Sequence, residues 1–338
     1  MGKVTIKDVA KVANVSFTTV SRALSGNPEI SRETRERILR ICEEMGYTTN
    51  YVARSMIKKK TELLGLIVPS IDNPFMSELA YFAEVTARRA GYNLMLCNSY
   101  PDLDQEQTAM KLMVGHQADG VLIIPQKPES CEMLQQYAGL VPTVYLSENL
   151  RDHGGNYVSV DNFRGTIMGT EYLYGLGHRR ILYFGHRKGS TTHQMRAEGY
   201  IEACKNLGLT PKIISFDAPA SSIDLGYSMA KGLLSGPLDF TAVFASTDSN
   251  AIGLMQAANE AHLRIPEDIS ILGFDNIRLS SLPQIDLTTV AQPMEQMAIR
   301  AVTMLIHKIE NSSSDTAHEI IQPYLIERRS CRKIIPCQ

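Results

Sequence analysis

The chain has 338 residues, 44% hydrophobic and 21% charged, a composition that predicts two or three folded domains with sizeable cores and excludes disorder as the default state. Net charge is −2, but residues 1–60 hold twelve Lys+Arg against six Asp+Glu, a net +6, and the remainder carries −8; a basic head that alone meets an anionic partner and a head with a merely solvated basic surface both fit this split. Six scattered cysteines with no C-x-x-C pair, a polar Met1–Lys11 stretch and no apolar run near ~18 residues argue against a zinc site, a signal peptide and a membrane helix, and predict a cytoplasmic protein.

Three short helices are predicted within residues 5–46. Thr5 followed by Asp8 has the spacing of a capping box, and Ile6, Val9, Ala10 and Ala13 form one apolar stripe at helical period. Asn14 and Val15 interrupt the stripe. Ser16 is placed to cap a second helix that buries Val20, Ala23 and Leu24, and the run Ser25-Gly26-Asn27-Pro28 ends it. Ser31 caps a third, with Ile38, Ile41 and Met45 inward and Gly46 as its stop. Within residues 47–60, Asn50 to Ile57 offer one or two helical turns before Lys58-Lys59-Lys60, too short for an isolated helix, and the segment reads as a hinge. From Leu63 onward apolar strands alternate with amphipathic helices. One series is Leu63–Val68, Tyr92–Cys97, Val121–Ile124 and Thr143–Leu146; the other is Ile181–Phe184, Ile213–Phe216, Thr241–Ala245 and Ser270–Phe274. Helices are expected at 75–90, 162–175, 193–207 and 247–261. A repeat of about 30 residues is that of βα units, so two doubly wound lobes with parallel sheets are predicted.

Two short helices joined by a tight turn, with a polar outer face, make a helix-turn-helix. The second helix exposes Phe17, Thr18, Ser21 and Arg22, types able to meet a thymine methyl, base edges, phosphates or guanine in a major groove; a small helical bundle without nucleic acid fits the periodicity as well. In the α/β region, polar residues collect after strand ends, where parallel sheets bind ligands: Ser70, Asp72, Asn73, Asn98, Asp161, His186, Asp217, Thr247, Asp248, Asp275 and Asn276. Each is also a common cap or turn residue, and Asn162 and Asp248 are placed to cap the helices they precede.

The run V-T-I-K-D-V-A-K-V-A-N-V-S-F-T-T-V-S-R-A-L at 4–24 resembles the helix-turn-helix of the lactose-repressor/galactose-repressor (LacI/GalR) family. So do Gly46-Tyr47, Asn50 to Met56, Gly177 to Ile181, Arg196 to Tyr200, and P-E-D-I-S-I-L-G-F-D-N at 266–276. The resemblance implies an all-α helix-turn-helix head on a two-lobed, periplasmic-binding-protein-like (type I) α/β sensing domain. It implies a head over 1–47, a hinge helix and linker over 48–60, and a sensor over 61–338. The lobes would be roughly 61–160 plus 291–320, and 161–290 plus 321–338. DNA contacts would fall to Thr5, Ser16, Phe17, Thr18, Thr19, Ser21 and Arg22, and to Asn50, Ala53 and Met56 in the hinge. Met56 stands where family members usually have Leu as a minor-groove wedge. Effector contacts would fall to Phe75, Asp161, Arg196, Thr247 and Asp275, with Arg196 as a bidentate clamp; many relatives have Asn where this chain has Thr247, so ligand identity does not transfer. The partners implied are a pseudo-palindromic double-stranded operator, a sugar-like effector and a second copy of the chain, with no cofactor and no metal. A phosphorylated carrier protein is the alternative signal. Gly185-His186-Arg187-Lys188-Gly189-Ser190 lacks the spacing of a phosphate loop, and no nucleophile–base pattern is visible, so an enzyme is not expected.

Overall fold

The computed structural model describes residues 4–24, 27–47, 60–100, 102–125, 128–137, 139–147, 155–216, 222–311 and 316–334. It divides into a unit over Met1–Thr61 and a larger one over Glu62–Gln338. The hinge residues Asn50, Ala53 and Met56, as well as Asp217, lie outside the described residues.

In the small unit, α1 (Ile6–Ala13), α2 (Phe17–Leu24) and α3 (Arg32–Glu44) enclose Val9, Ala10, Ala13, Val20, Ala23, Ile38 and Cys42. The Asp8 carboxylate accepts from the Thr5 amide at 2.9 Å and from Thr5 Oγ1 at 2.7 Å, which satisfies one orphan donor at the start of α1. Asn14, at φ 50°, turns the chain out of α1. Ser16 Oγ then accepts from the Thr19 amide at 3.0 Å, and Ser31 Oγ from the Thr34 amide at 3.3 Å. Gly46, at φ 63°, ends α3 by returning the Tyr47 amide to the Cys42 carbonyl at 2.8 Å.

The large unit holds two six-stranded sheets. The first contains β1 (Leu63–Val68), β2 (Asn93–Asn98), β3 (Gly120–Ile123), β4 (Thr143–Leu146), β5 (Asn156–Val160) and β11 (His318–Ile321), in the order β11-β5-β4-β3-β1-β2. The second contains β6 (Ile181–Arg187), β7 (Lys212–Phe216), β8 (Ala242–Ala245), β9 (Ser270–Asp275), β10 (Thr288–Ala291) and β12 (Tyr324–Ile326), in the order β12-β10-β9-β8-β6-β7. All recorded pairings are parallel except that of β10 with the edge strand β12, which is antiparallel. The expectation of parallel sheets is corrected at that edge: β12 enters the second sheet straight from the carboxyl end of β11 in the first, with no helix between to carry the chain back, so it runs against β10.

Both faces of each sheet are covered, so β1, β3 and β8 are apolar throughout rather than alternating, and β9 is buried along its whole length. On the first sheet lie α4 (Pro74–Arg89), α5 (Leu103–Gly115), α6 (Pro128–Gln135) and α11 (Met294–Asn311). On the second lie α7 (Asn162–Gly175), α8 (Thr191–Leu207), α9 (Ile223–Leu234) and α10 (Asp248–Glu260). The chain passes between the sheets after β5, after β10 and after β11. Those three passes align the carboxyl ends of β1, β4, β6, β8, β9 and β10 along one cleft.

Candidate functional site

The small unit presents α2 as its polar face. Val20 and Ala23 point inward, while Ser16, Phe17, Thr18 and Arg22 are exposed and Thr19 and Ser21 are half-buried. Phe17 keeps 59% of its surface in water, an arrangement that a packing role does not explain. Ser16 and Thr19 share a hydroxyl–hydroxyl bond of 2.9 Å, so the cap of α2 also fixes the orientation of both side chains. Arg22 Nη1 donates to Glu29 Oε2 at 2.8 Å across an exposed surface. A phosphate or guanine approaching Arg22 therefore competes with an internal carboxylate, though an exposed pair of this kind holds by less than about 1 kcal/mol. Thr5 is exposed at the start of α1.

The cleft of the large unit encloses about 80 Å³, and about 680 Å³ when the open solvent at its mouth is counted. Its walls are Pro69, Ser70, Asn73, Phe75, Met76, Ile124, Pro125 and Ser147 from the first lobe, and Arg187, Ser190, Thr192, His193, Arg196, Thr247, Asp275 and Gln292 from the second and its crossover. Phe75, Arg196, Thr247 and Asp275 are thus brought together. Asp161 is not on the wall: its carboxylate accepts from the Arg164 amide at 2.9 Å and caps α7.

Capping also departs from the expected positions by one residue. Asp161 caps α7, not Asn162, and Thr247 caps α10, accepting from the Asn250 amide at 3.2 Å, not Asp248. The displaced residues are buried and do other work. Asn162 Oδ1 accepts from Arg196 Nε at 2.8 Å. Asp248 accepts from the Ile277 amide at 3.0 Å, from Ser280 Oγ at 2.6 Å and from Thr289 Oγ1 at 2.6 Å. A side chain on Gly273 would collide with that carboxylate, so glycine is required there.

Arg196 is the centre of the floor. Besides Asn162 it donates to the Ser246 carbonyl at 2.6 Å, pairs with Asp275 Oδ1 at 3.4 Å, and lies 3.7 Å over the Phe274 ring. The guanidinium is clamped by the protein before any ligand arrives. Asp275 accepts from Gln292 Nε2 at 2.7 Å. It stands at φ 124°, followed by Asn276 at φ 57°, a pair of positive-φ non-glycine residues that cost of order 1–3 kcal/mol each. The bonds from Asp248 to Ile277 and Ser280 hold the loop in that shape. Burial pushes the carboxyls of both Asp248 and Asp275 above the usual range; Asp275 adds to the rise at Asp248, while Arg196 opposes that at Asp275. His193 is kept neutral mainly by burial and then by Arg196 and Arg187. Its Nδ1 accepts from the Arg187 amide at 3.3 Å, which leaves the proton on Nε2. Gln292 is 3% exposed, and its Oε1 accepts no hydrogen bond from the described residues.

Sequence reasoning missed Ser147, Arg187, Ser190, Thr192, His193 and Gln292. The signal existed for three of them, since Ser147 follows β4, Arg187 ends β6 and Gln292 follows β10. The run 185–190, set aside as a failed phosphate loop, supplies Arg187 and Ser190. Among the described residues no group of acidic, histidine and cysteine side chains is arranged to hold a metal, and no helix is long and apolar enough to cross a membrane.

Residues 5–50 match the model of bacterial regulatory proteins of the lacI family, and residues 170–331 match the periplasmic binding protein-like domain. The chain is 32% identical over 334 residues to the HTH-type transcriptional repressor PurR of Pasteurella multocida, with 97% of this chain and 98% of that protein covered. It is 31% identical to the ribose operon repressor of Escherichia coli, with 96% and 99% covered. Among solved structures, the periplasmic binding protein/LacI transcriptional regulator from Alkaliphilus metalliredigens complexed with D-xylulofuranose superposes with a TM-score of 0.71 at 27% identity, covering 80% of this chain and 99% of that one. With a helix-turn-helix of this form, a two-lobed domain following it in the chain and full-length relatives above 30% identity, the chain belongs to the lacI family of DNA-binding transcriptional repressors, a family that is not enzymatic.

Proposed function

We propose that this repressor is controlled by a small, sugar-like effector bound in the cleft. The observation that carries the reading is the convergence of Phe75, Thr247, Asp275 and the open acceptor Gln292 Oε1 on one wall-to-wall space. An aromatic ring offers a face to stack on a sugar, and a carboxylate, a hydroxyl and an amide oxygen suit its hydroxyls. A solved relative that holds D-xylulofuranose supports the sugar class. In this reading residues 1–47 form the reading head, 48–60 a hinge and 61–338 the sensor, and the protein acts in the cytoplasm. Two copies place two α2 helices on a pseudo-palindromic operator. Phe17, Thr18 and Arg22 meet bases, while Thr5, Ser16, Thr19 and Ser21 lie near phosphates. Asn50, Ala53 and Met56 enter the minor groove from the hinge. Effector binding changes the angle between the lobes and is coupled to operator affinity by about 1–3 kcal/mol.

The test is a thermal-shift screen of the full chain against neutral sugars, sugar phosphates, sugar acids and nucleobases, followed by operator mobility shifts with any hit. A saturable rise in melting temperature that also moves operator affinity is the expected result, since a ligand stabilises the state it binds. If no compound responds and a phosphorylated carrier protein alters operator binding instead, the signal is a docked protein and the cleft reading falls.

A further inference from the structure

We propose that Glu78 and the loop after β9 form a latch between the two lobes, whose strength sets the balance between lobe arrangements. The inference rests on the reading that lobe angle controls operator affinity, and not on the identity of the effector. β9 and α10 belong to the second lobe. Yet Ile277, two residues past β9, is 1% exposed in the apolar core of the first lobe, with Phe75, Leu79 and Met297. Leu279, and Ile252 of α10, pack against the same core. The Arg278 amide donates to Glu78 Oε1 on α4 at 2.8 Å. Burial pushes the Glu78 carboxyl up and the Arg278 amide pulls it back, so the acceptor is partly shielded from competing water.

The loop is stiff on its own side. Asp248 takes the Ile277 amide and Ser280 Oγ, Arg328 Nη2 donates to Asn276 Oδ1 at 2.7 Å, and the Leu287 amide donates to the Ser280 carbonyl at 2.9 Å. A loop tied in this way does not follow the first lobe by bending. A change of lobe angle must break the Glu78 bond and draw Ile277 and Leu279 out of the first core, and packed contacts of that kind switch between discrete states rather than stretch. The latch also lies where a ligand acts. Phe75 precedes Glu78 by three residues, about one turn of α4, and Asp275 precedes Arg278 by three; both line the cleft. An effector that bridges Phe75 and Asp275 therefore loads the two elements that the latch joins.

Two substitutions remove the bond, one from each lobe: Glu78→Ala takes the acceptor and Arg278→Pro the donor. Ile277 stands at φ −64°, ψ 156°, and Arg278 opens a single 3-10 turn, a setting that suits proline and keeps the loop in shape. Glu78→Gln keeps an acceptor and Arg278→Ala keeps the amide, so both are controls. Hydrogen exchange of the full chain is followed at residues 74–80 and 276–282, with melting temperature as the folding control. Operator affinity is measured by mobility shift, without effector, on a duplex selected from random sequence. Glu78→Ala is expected to speed exchange in 276–282, and Arg278→Pro in 74–80, each effect crossing to the other lobe. Both should move operator affinity in the same direction by about 2- to 10-fold, the double variant no further than either single, and the controls by less than about 2-fold. If Arg278→Pro melts far below the wild type, the contrast of Glu78→Ala with Glu78→Gln decides alone. Exchange changes confined to the substituted lobe, or additive effects on operator affinity, overturn the latch and leave the sensor reading standing. Exchange that crosses between the lobes while operator affinity stays unchanged overturns lobe control of DNA binding, and the inference with it.

Discussion

The reading helix and the ligand cleft solve opposite problems. On α2 the proposed contacts are exposed and lightly tied: Phe17 touches water, and the ion pair of Arg22 with Glu29 is a surface pair. In the cleft the proposed contacts are buried and held by other side chains. Arg196 has three hydrogen-bonding or ionic partners and a ring beneath it before any ligand binds. A partner as large as a duplex supplies its own desolvation and many weak contacts, so the protein needs only a correctly placed face. A small ligand supplies few contacts, so the protein must pre-order its polar groups and bear the burial cost in advance. Damage to the cleft should therefore register in stability, and damage to α2 in affinity alone.

Arg196→Ala is the severest break. It leaves Asp275 buried beside the raised Asp248 carboxyl and removes the floor, with an expected loss of roughly 3 kcal/mol or more in urea unfolding of the sensing unit. Any effector response should disappear while operator binding persists; unchanged stability would show that the pair is not holding the floor. Phe17→Ala should cost about 1–3 kcal/mol in operator affinity by mobility shift, with unfolding free energy altered by less than about 0.5 kcal/mol; a comparable stability loss would make Phe17 a core residue after all.

His178 sharpens the stability side. It is fully buried, with Nδ1 at 2.9 Å from Thr241 Oγ1 and Nε2 at 3.2 Å from the Arg332 carbonyl, and its pKa is lowered chiefly by burial. A histidine whose folded pKa lies below the unfolded value stabilises the fold above about pH 6.5 and withdraws that stability as pH falls toward the folded pKa. Between about pH 7.5 and 5.5 the wild type should lose stability relative to His178→Gln, by at most ~1.4 kcal/mol per pH unit. Parallel pH profiles would remove His178 from the acid response. The smallest effect is expected for Glu29→Ala. Removing this carboxylate beside Arg22 should cost under about 1 kcal/mol of stability and tighten non-specific DNA binding, with a steeper salt dependence; unchanged DNA affinity would mean that Glu29 does not compete for Arg22.

The legible parts of the chain were those governed by short-range rules. The caps at Ser16 and Ser31, the stop at Gly46, and the strands Leu63–Val68 and Thr143–Leu146 follow from residue type and spacing. Leu103–Gly115, Ile223–Leu234 and Met294–Asn311 were not singled out as helices. The first spreads its apolar residues around the axis. The second sets Gly226 against the backbone of α10, so part of its packing face has no side chain to announce it.

The sequence by itself determined the helix-turn-helix, the run of βα units, the family and the polar character of strand ends, because each is set by local periodicity, capping and turn chemistry. Only the tertiary structure decided which polar residues share a space. Asp161 and Asn162 are neighbours in the chain, yet one caps a helix and the other braces Arg196. Thr247 and Asp248 divide in the same way between cap and buried anchor. Adjacent residues at a strand-to-helix junction differ by a turn of the backbone that local rules leave free to within one position. The sheet beneath and the loop above choose between them, because the Asp248 carboxylate is buried where three donors already converge on it.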